Sequence, residues 1–318
     1  MIQFSSLQAT AKAAVAIIFA ILSVGCASST KQVDQLLSSS TSLPRSHQIE
    51  NVPFINQAAG HCGPATLAMA MNWSGKMISV DEIAPLVYTP GSHGTFQADM
   101  ISASRRLGML AIPIEGFAPL LVEVSSGHPI IVFENLALSW LPQWHYAIVY
   151  GYDLDKEIVM MHSGPERDKL WDLRKFERSW KLGDYWGLAV VPPGSIVRSQ
   201  TELAHVTAAS GLEQAGRKSE SLTSYRAILK QWPTSLASMI ALANEAYEAR
   251  RYDRSVEYLE QATRHHPKSA PAWHNLAFAQ SAMGRKLEAK KSAERALALV
   301  AEDSRAAFEK SLSVILKN

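Results

Sequence analysis

A cysteine placed directly before a helix start constrains this chain more than any other feature. Cys62 precedes Gly63 and Pro64, which open a run of Ala, Leu and Met that continues to Trp73. Proline is well tolerated in the first turn of a helix, so we expect a helix that begins at the cysteine. Unpaired N–H groups at a helix N-terminus favour the thiolate, which is the nucleophilic form of cysteine. The pattern therefore predicts a reactive thiol on the first turn of a helix.

Two further residues fit the chemistry of a thiol nucleophile. Gln57 precedes the cysteine by five residues, and its side-chain amide can donate a hydrogen bond to a developing oxyanion. His145 begins an apolar, β-branched and aromatic run that ends at Gly151, which predicts a strand followed by a turn. Alone, the cysteine would be interpreted as inert and the histidine as structural. Together, a cysteine at a helix start and a histidine at a strand start are the papain-like arrangement of nucleophile and base.

The two motifs resemble those of the bacteriocin-processing (double-glycine leader) cysteine peptidases. The resemblance rests on Gln57-x4-Cys62-Gly-Pro-Ala and on His145-Tyr-Ala-Ile-Val-Tyr-Gly-Tyr-Asp, and it covers residues 51–193. It points to stand-alone, lipoprotein-like members that carry a tetratricopeptide repeat (TPR) tail. The resemblance implies a papain-like fold, with Cys62 as the nucleophile, His145 as the general base and Gln57 as the oxyanion donor. It implies no cofactor.

The residue that orients the imidazole is left open by the sequence. In the family an Asp or Asn stands at the end of the strand that follows the histidine, whereas this chain has His162-Ser163-Gly-Pro there, without a carboxylate. His162 is the first candidate, Ser163 the second, and a group from elsewhere in the chain the third. Neither side chain stabilises an imidazolium as an ionised carboxylate does. The departure allows a slower enzyme, an unusual triad or a fold without catalysis.

Three residues beside these motifs are predicted to contact substrate. Gly63 adjoins the nucleophile, His93 lies in a Gly-Ser-His-Gly loop, and Trp144 adjoins the general base, where it is placed to cover the cleft. The sequence has no His-x3-His or Cys-x2-Cys pair, so metal binding has little support.

The pattern over residues 51–193 predicts helices first and strands afterwards. Ser79-Val-Asp-Glu82 is a capping box that predicts a helix over 80–87, and a third helix is expected over 96–107. Predicted strands cover 110–115, 129–133, 145–150, 158–162 and 188–191, with a short helix over 173–180. Such a mostly antiparallel sheet with helices segregated from it makes an α+β domain.

The region after residue 193 predicts an all-α repeat domain. Strand signals vanish, and Pro233 and Pro267 lie 34 residues apart, which is the period of the TPR. Counting from these prolines predicts a linker over 194–201, repeats over 202–235, 236–269 and 270–303, and a final capping helix within a domain that spans 202–318. Because one helix pair cannot bury its apolar face alone, the pairs are expected to stack into one superhelix.

The first fifty residues predict export to the cell envelope. The apolar run 13–22 is too short to span a bilayer permanently, so residues 1–25 are interpreted as a removable signal peptide. Small residues before Cys26 resemble a bacterial lipobox, which implies a lipid on this cysteine, with ordinary secretion as the alternative. The residue after it is not Asp, which implies an outer-membrane protein facing the periplasm. Residues 26–50 are predicted to form the lipidated cysteine and a Ser- and Thr-rich flexible tether.

Charge and cysteine content narrow the function classes. The net charge is +2 at pH 7, with no basic block, so nucleic acid is not an expected partner. Only two cysteines occur, and lipidation of one would leave Cys62 as the single free thiol. The sequence predicts an envelope-anchored cysteine peptidase that hydrolyses a peptide or protein substrate and docks a protein partner through its TPR module. A non-catalytic papain-like protein that binds an extended peptide is the alternative, and a cell-wall amidase is disfavoured because Cys-Gly-Pro-Ala does not match the Asp-Cys-Ser-Gly pattern of that class.

Overall fold

The computed structural model describes residues 30–317 except 40–41, 58–59, 90 and 92–93. Cys26 and His93, on which two of the predictions rest, lie outside the described residues. The elements of the first domain are α1 (Lys31–Ser38), β1 (Ser46–Gln48), α2 (Cys62–Trp73), α3 (Val80–Val87), β2 (Tyr88–Thr89), β3 (Gly94–Thr95), α4 (Gln97–Arg106), β4 (Leu110–Glu115), α5 (Phe117–Ser125), β5 (Ile130–Asn135), β6 (Trp144–Asp153), β7 (Ile158–Ser163), β8 (Glu166–Asp172), α6 (Leu173–Lys181) and β9 (Trp186–Val191).

The regular elements in the described part of the chain after β9 are all helices. They are α7 (Glu202–Gln214), α8 (Lys218–Gln231), α9 (Leu236–Glu248), α10 (Tyr252–His265), α11 (Ala270–Ala282), α12 (Lys286–Leu299) and α13 (Glu302–Leu316). The predicted fold class, an α+β papain-like domain followed by an all-α TPR superhelix, is confirmed. None of the described helices combines the length and the apolar character needed to cross a membrane.

An antiparallel sheet forms the centre of the first domain. Its strands follow the order β4-β9-β5-β6-β7-β8, and β1 pairs with residues 151–153 of β6. β6 pairs with both β5 and β7 and is therefore an inner strand. The predicted capping box is present at the start of α3, where the Ser79 hydroxyl and the Glu82 carboxylate each accept from the other's backbone N–H.

Apolar side chains alternate between the two faces of this sheet, and helices cover both faces. On one face, α2, α3 and α4 pack against the sheet through Met69, Ile83 and Met100. On the other face, α1, α5, α6 and α7 cover the strands, with Phe117 and Trp180 among the buried side chains. The period of two along the strands explains why each face receives its own apolar set. The sheet is consequently the middle layer of three.

The segment predicted as a flexible tether is partly folded, so that prediction is wrong for residues 31–38 and 46–48. Val33 and Leu36 of α1 are buried in the core that α5 and α6 share with the sheet. The Glu177 carboxylate accepts from the backbone N–H groups of Gln32 and Val33, both at 3.0 Å. A carboxylate at the N-terminus of a helix satisfies unpaired donors and complements the helix dipole. The weak apolar patch in this Ser-rich segment is therefore a docking face.

The connection between the domains is fixed as well. Val197 is fully buried, and its backbone N–H donates to Nε2 of His205 at 3.0 Å. The backbone N–H of Ser199 donates to the buried Glu123 carboxylate at 2.6 Å. In α7, Ala208 and Leu212 belong to the same apolar core as the sheet. The first TPR helix thus completes the core of the preceding domain, and the two domains share one packed interface.

Replacement of Val33 tests whether α1 is docked. Val33→Ala is expected to lower the free energy of unfolding by about 1.5–3 kcal/mol, because a fully buried valine side chain is truncated and leaves a cavity. Urea unfolding followed by circular dichroism measures this change. Lys31→Ala, at an exposed position of the same helix, is the control. Equal unfolding midpoints for Val33→Ala and the parent protein would contradict the docked helix.

Candidate active site

Helix α2 places the thiol at its first residue, as predicted. The helix is buried from Gly63 to Met71, while Cys62 at its N-terminus is only partly buried. The Thr66 hydroxyl donates to the carbonyl oxygens of Cys62 at 2.8 Å and of Gly63 at 3.0 Å, which ties the first turn together. A helix locked in the core on all sides has little freedom to move its end. The sulfur is therefore held in a fixed position at the protein surface.

The predicted nucleophile, base and oxyanion donor meet in one cavity. Gln57, Cys62 and His145 all line a cleft of about 740 Å³, together with Trp144. Gly63 is not among the lining residues. A Cβ at that position would lie 2.6 Å from Cβ of Thr95. The glycine therefore allows close packing against β3, and its contact with substrate stays a prediction.

The imidazole of the base is held by Ser163. Nε2 of His145 lies 3.1 Å from Oγ of Ser163, and the serine is buried at the end of β7. When the serine oxygen accepts from Nε2–H, Nδ1 is the unprotonated nitrogen of the neutral ring. A hydroxyl can fix the ring orientation in this way, although it carries no charge to stabilise an imidazolium.

His162, the first candidate for this role, faces a different environment. Its Nε2 donates to the backbone carbonyl of Val52 at 3.1 Å, and its Nδ1 accepts from the backbone N–H of Asp168 at 3.2 Å. Its ring also contacts the rings of Phe54 and Tyr150. Both ring nitrogens are thus occupied by backbone groups, so the hydrogen bond predicted between His162 and the base is not formed. The second candidate, Ser163, takes that place.

A β-bulge decides between the two residues. Near the turn that joins β6 to β7, Gly151 pairs with Met160. If this register continued, Val149 would pair with His162, and His162 would then lie on the same face as Val149 and His145. The register instead shifts between Val149 and Gly151, and beyond the shift Ala147 pairs with Ser163. A shift by one residue moves every following side chain to the opposite face. Because His145 and Ala147 share one face, the bulge brings Ser163 to the base.

Burial and charge keep the base neutral. Desolvation is the main cause that lowers the pKa of His145 to about 4, and the nearby Lys169 ammonium lowers it further, while Glu166 opposes both. Lys169 is bound to Glu166 at 2.8 Å and lies 4.3 Å above the ring of Trp171. A neutral imidazole is able to accept a proton over the whole range of pH above its pKa.

The side chain of Gln57 carries a buried donor without an acceptor. Its Nε2 is shielded from solvent and has no hydrogen-bond partner within the described part of the chain. Leaving a buried polar group unsatisfied costs about 1–3 kcal/mol, so such a group in a native protein calls for an explanation. The residue lines the same cleft as Cys62.

Glu134, a buried acidic residue in the strand next to His145, was not predicted from the sequence. Glu134 pairs with His145 across β5 and β6 and has no exposed surface. Its Oε2 accepts from the Ser179 hydroxyl at 2.8 Å, and burial raises its pKa to about 7. The only signal in the sequence is an acidic residue inside an apolar strand. Phe96, Phe133 and Gln143, which also line the cleft, carried no signal because they lie outside both motifs.

Comparison with known protein families agrees with this geometry. Residues 49–188 match the Peptidase_C39 like family. The first domain is a Peptidase_C39-like domain. Residues 246–308 match the tetratricopeptide repeat family, so TPR repeats follow the C39-like domain. The predicted combination of a C39-like domain with TPR repeats is confirmed. A search of the curated proteins found no match.

Solved structures similar to the C39-like domain are distant in sequence. A putative C39-like peptidase from Bacillus anthracis is 19% identical, with 46% of this chain and 97% of that chain covered and a TM-score of 0.41. The peptidase domain of Streptococcus ComA, described as a bi-functional ABC transporter involved in quorum sensing, is 21% identical, with 46% and 98% covered and a TM-score of 0.36. A double glycine motif protease from an AMS/PCAT transporter, in complex with the leader peptide, is 18% identical, with 45% and 96% covered and a TM-score of 0.36.

Introducing a carboxylate at Ser163 tests the contact with the base. Ser163→Asp is expected to raise the pKa of His145 above its value of about 4, because a nearby negative charge favours the imidazolium. An NMR titration of the His145 ring measures the shift, and Ser163→Ala is the control that removes the hydroxyl without adding charge. An aspartate at Ser163 that left the titration of His145 unchanged would show that the two side chains are not in contact.

Proposed function

We propose that the chain is a cysteine peptidase that hydrolyses peptide bonds through an acyl-enzyme. The observation that carries the proposal is the convergence of Gln57, Cys62 and His145 on one cleft, where Nε2 of Gln57 is buried and has no acceptor in the described part of the chain. A thiol, a neutral base and an oxyanion donor are the three groups that acyl transfer to sulfur requires. The C39-like family match supports the same chemistry.

Acylation begins with removal of the thiol proton. His145 takes the proton of Cys62 on Nδ1, and the sulfur attacks the carbonyl carbon of the substrate. The carbon–nitrogen bond then breaks, and the imidazolium returns the proton to the leaving amine. Because the base is neutral in the resting enzyme, proton transfer accompanies the attack.

The oxyanion of the tetrahedral intermediate is stabilised by two donors. One is Nε2 of Gln57, and the other is the backbone N–H of Cys62, which belongs to the unpaired donors of a helix N-terminus. Both are fixed before substrate arrives, so their reorganisation costs nothing at the moment of reaction. Water then attacks the thioester with His145 again as the base, the acid product leaves, and the thiol recovers its proton. Ser163 acts throughout as the positioning residue for the ring.

Attachment to the cell envelope is the second part of the proposal. A lipid on Cys26 would anchor the chain in the outer membrane, facing the periplasm. Because α1 begins at Lys31, the chain between the two positions spans at most about 18 Å even when fully extended. The docked helix therefore supports an enzyme held close to the membrane. Two pockets of the TPR region, which both include Asn244 in their lining, are the candidate sites for a protein partner.

Reaction with a thiol probe tests the nucleophile and the base. Iodoacetamide is expected to label Cys62 at neutral pH, and His145→Ala is expected to slow labelling by about 10²–10⁴-fold, the usual contribution of a general base. Mass spectrometry of the labelled protein measures the rate, and Cys62→Ala is expected to abolish both labelling and hydrolysis. His265→Ala, at an exposed position of α10, is the matched control. Labelling no faster than that of a model thiol would support the peptide-binding alternative instead.

Replacement of Gln57 separates function from stability. Gln57→Ala is expected to lower kcat by about 10²–10³-fold, because one oxyanion donor is lost. The free energy of unfolding is expected to stay constant or rise, since the mutation removes a buried donor that has no partner among the described residues. Steady-state kinetics and urea unfolding give the two quantities. A large loss of stability would show that the amide has a structural role.

A further inference from the structure

The hairpin between β5 and β6 presents large apolar side chains to solvent. In the segment 136–144, Leu138 is 55% exposed, Trp140 77% and Leu141 63%. The segment contains no charged residue. Contiguous exposed apolar surface is uncommon on soluble monomers, and where it occurs it often marks an interaction site.

The hairpin is held in a defined conformation by its own polar contacts. Asn135 is buried, and its Oδ1 accepts from the backbone N–H groups of Ala137 at 3.0 Å and Gln143 at 2.9 Å. Its Nδ2 donates to the carbonyl oxygen of Leu138 at 3.3 Å. Backbone hydrogen bonds also join Leu136 to Gln143 across the hairpin. A surface that is ordered before binding loses less entropy when a ligand arrives.

The apolar surface is continuous with the catalytic cleft. Trp144 stacks on Phe133, with ring centroids 5.0 Å apart and an interplanar angle of 13°. Both rings line the cleft that contains Cys62 and His145. The exposed ring of Phe96 lines the same cleft. Apolar rings thus line the cleft where the hairpin joins β6.

The cleft itself favours uncharged substrate residues. Among the described residues, no Asp, Glu, Lys or Arg lines it. Gln97 and Gln143 are its other amide side chains besides Gln57, and amides suit hydrogen bonds with an extended peptide backbone. A charged substrate side chain would lose its hydration here without gaining a partner, which is unfavourable. The lining therefore selects for apolar residues beside the bond that is cut.

We infer that the hairpin 136–144 is a substrate-recognition element that binds a run of large apolar side chains in a polypeptide, adjacent to the bond cleaved at Cys62. The inference rests on the proposed peptidase function and specifies its substrate class. A lipid bilayer is the other ligand that exposed tryptophan and leucine can meet. The absence of Lys and Arg from the hairpin removes the attraction to anionic headgroups, and the position of Trp144 in the cleft links the hairpin to the reacting atoms.

Peptide binding to the inactive full-length variant Cys62→Ala tests the inference without turnover. The probe is a fluorescent peptide whose central run alternates Leu and Phe with Ser, and the reference replaces each Leu and Phe by Gln. Fluorescence anisotropy is expected to show at least about tenfold tighter binding of the apolar peptide, because each buried apolar side chain contributes free energy equivalent to such a factor. Equal affinity for the two peptides would overturn the inference.

Substitutions in the hairpin locate the binding surface. Trp140→Ser combined with Leu141→Ser, added to Cys62→Ala, is expected to lower affinity for the apolar peptide by at least about tenfold. Both side chains are exposed, so the fold should persist, and a thermal unfolding curve checks this. Leu287→Ser, at an 80% exposed position of α12, is the matched control and should leave affinity unchanged. Loss of affinity in the control equal to that in the double variant would overturn the assignment.

Two further measurements separate the remaining explanations. Sedimentation with vesicles of phosphatidylethanolamine and phosphatidylglycerol is expected to be the same with and without the hairpin substitutions. Weaker vesicle binding with unchanged peptide affinity would replace the inference by membrane docking. Hydrolysis of the two peptides by the wild type tests the proposed function independently. Selective binding by Cys62→Ala without hydrolysis by the wild type would reject the peptidase function and keep the recognition element. Equal hydrolysis of the two peptides together with equal binding would reject the recognition element and keep the peptidase function.

Discussion

The packing of helix α2 against strand β6 is the contact on which the active site depends. Met69 and Met71 of the helix share one apolar core with Tyr146 and Ile148 of the strand. Because Cys62 begins the helix, this packing determines where the sulfur meets the face of the sheet. The strand is in turn held between β5 and β7. Cys62 and His145 are therefore positioned by buried regular elements and not by loops, which makes the geometry of the candidate site rigid.

The first domain keeps buried polar groups that a purely structural core would avoid. Nε2 of Gln57 and Oε1 of Glu134 are buried without partners among the described residues, and the pKa of His145 is lowered by burial to about 4. Each of these features costs folding free energy. Gln57 and His145 line the same cleft as Cys62, and natural sequences depart from good packing mainly at functional positions.

The boundaries of the C39-like domain extend beyond its family match. Helix α1 precedes the match and α7 follows it, yet both bury apolar side chains in the sheet's core. Glu177 and Glu123 are buried acidic residues whose carboxylates bind backbone N–H groups of these flanking segments. Removal of either segment would expose apolar surface and leave a buried carboxylate without its donors. The peptidase core and the first TPR helix consequently form one structural unit.

The sequence by itself determined the features that depend on local interactions and on periodicity. The capping box at Ser79, the strand over residues 110–115 and the 34-residue repeat each follow from neighbouring residues, and so does the cysteine at a helix start. Tertiary structure alone decided which residue meets the base: a one-residue bulge in β6 brings Ser163 to His145 and turns His162 away, and bulges are not encoded in the alternation of side chains. It also decided that α1 docks, because a short apolar patch in a Ser-rich segment becomes a helix only when a partner surface and the carboxylate of Glu177 are supplied from far along the chain.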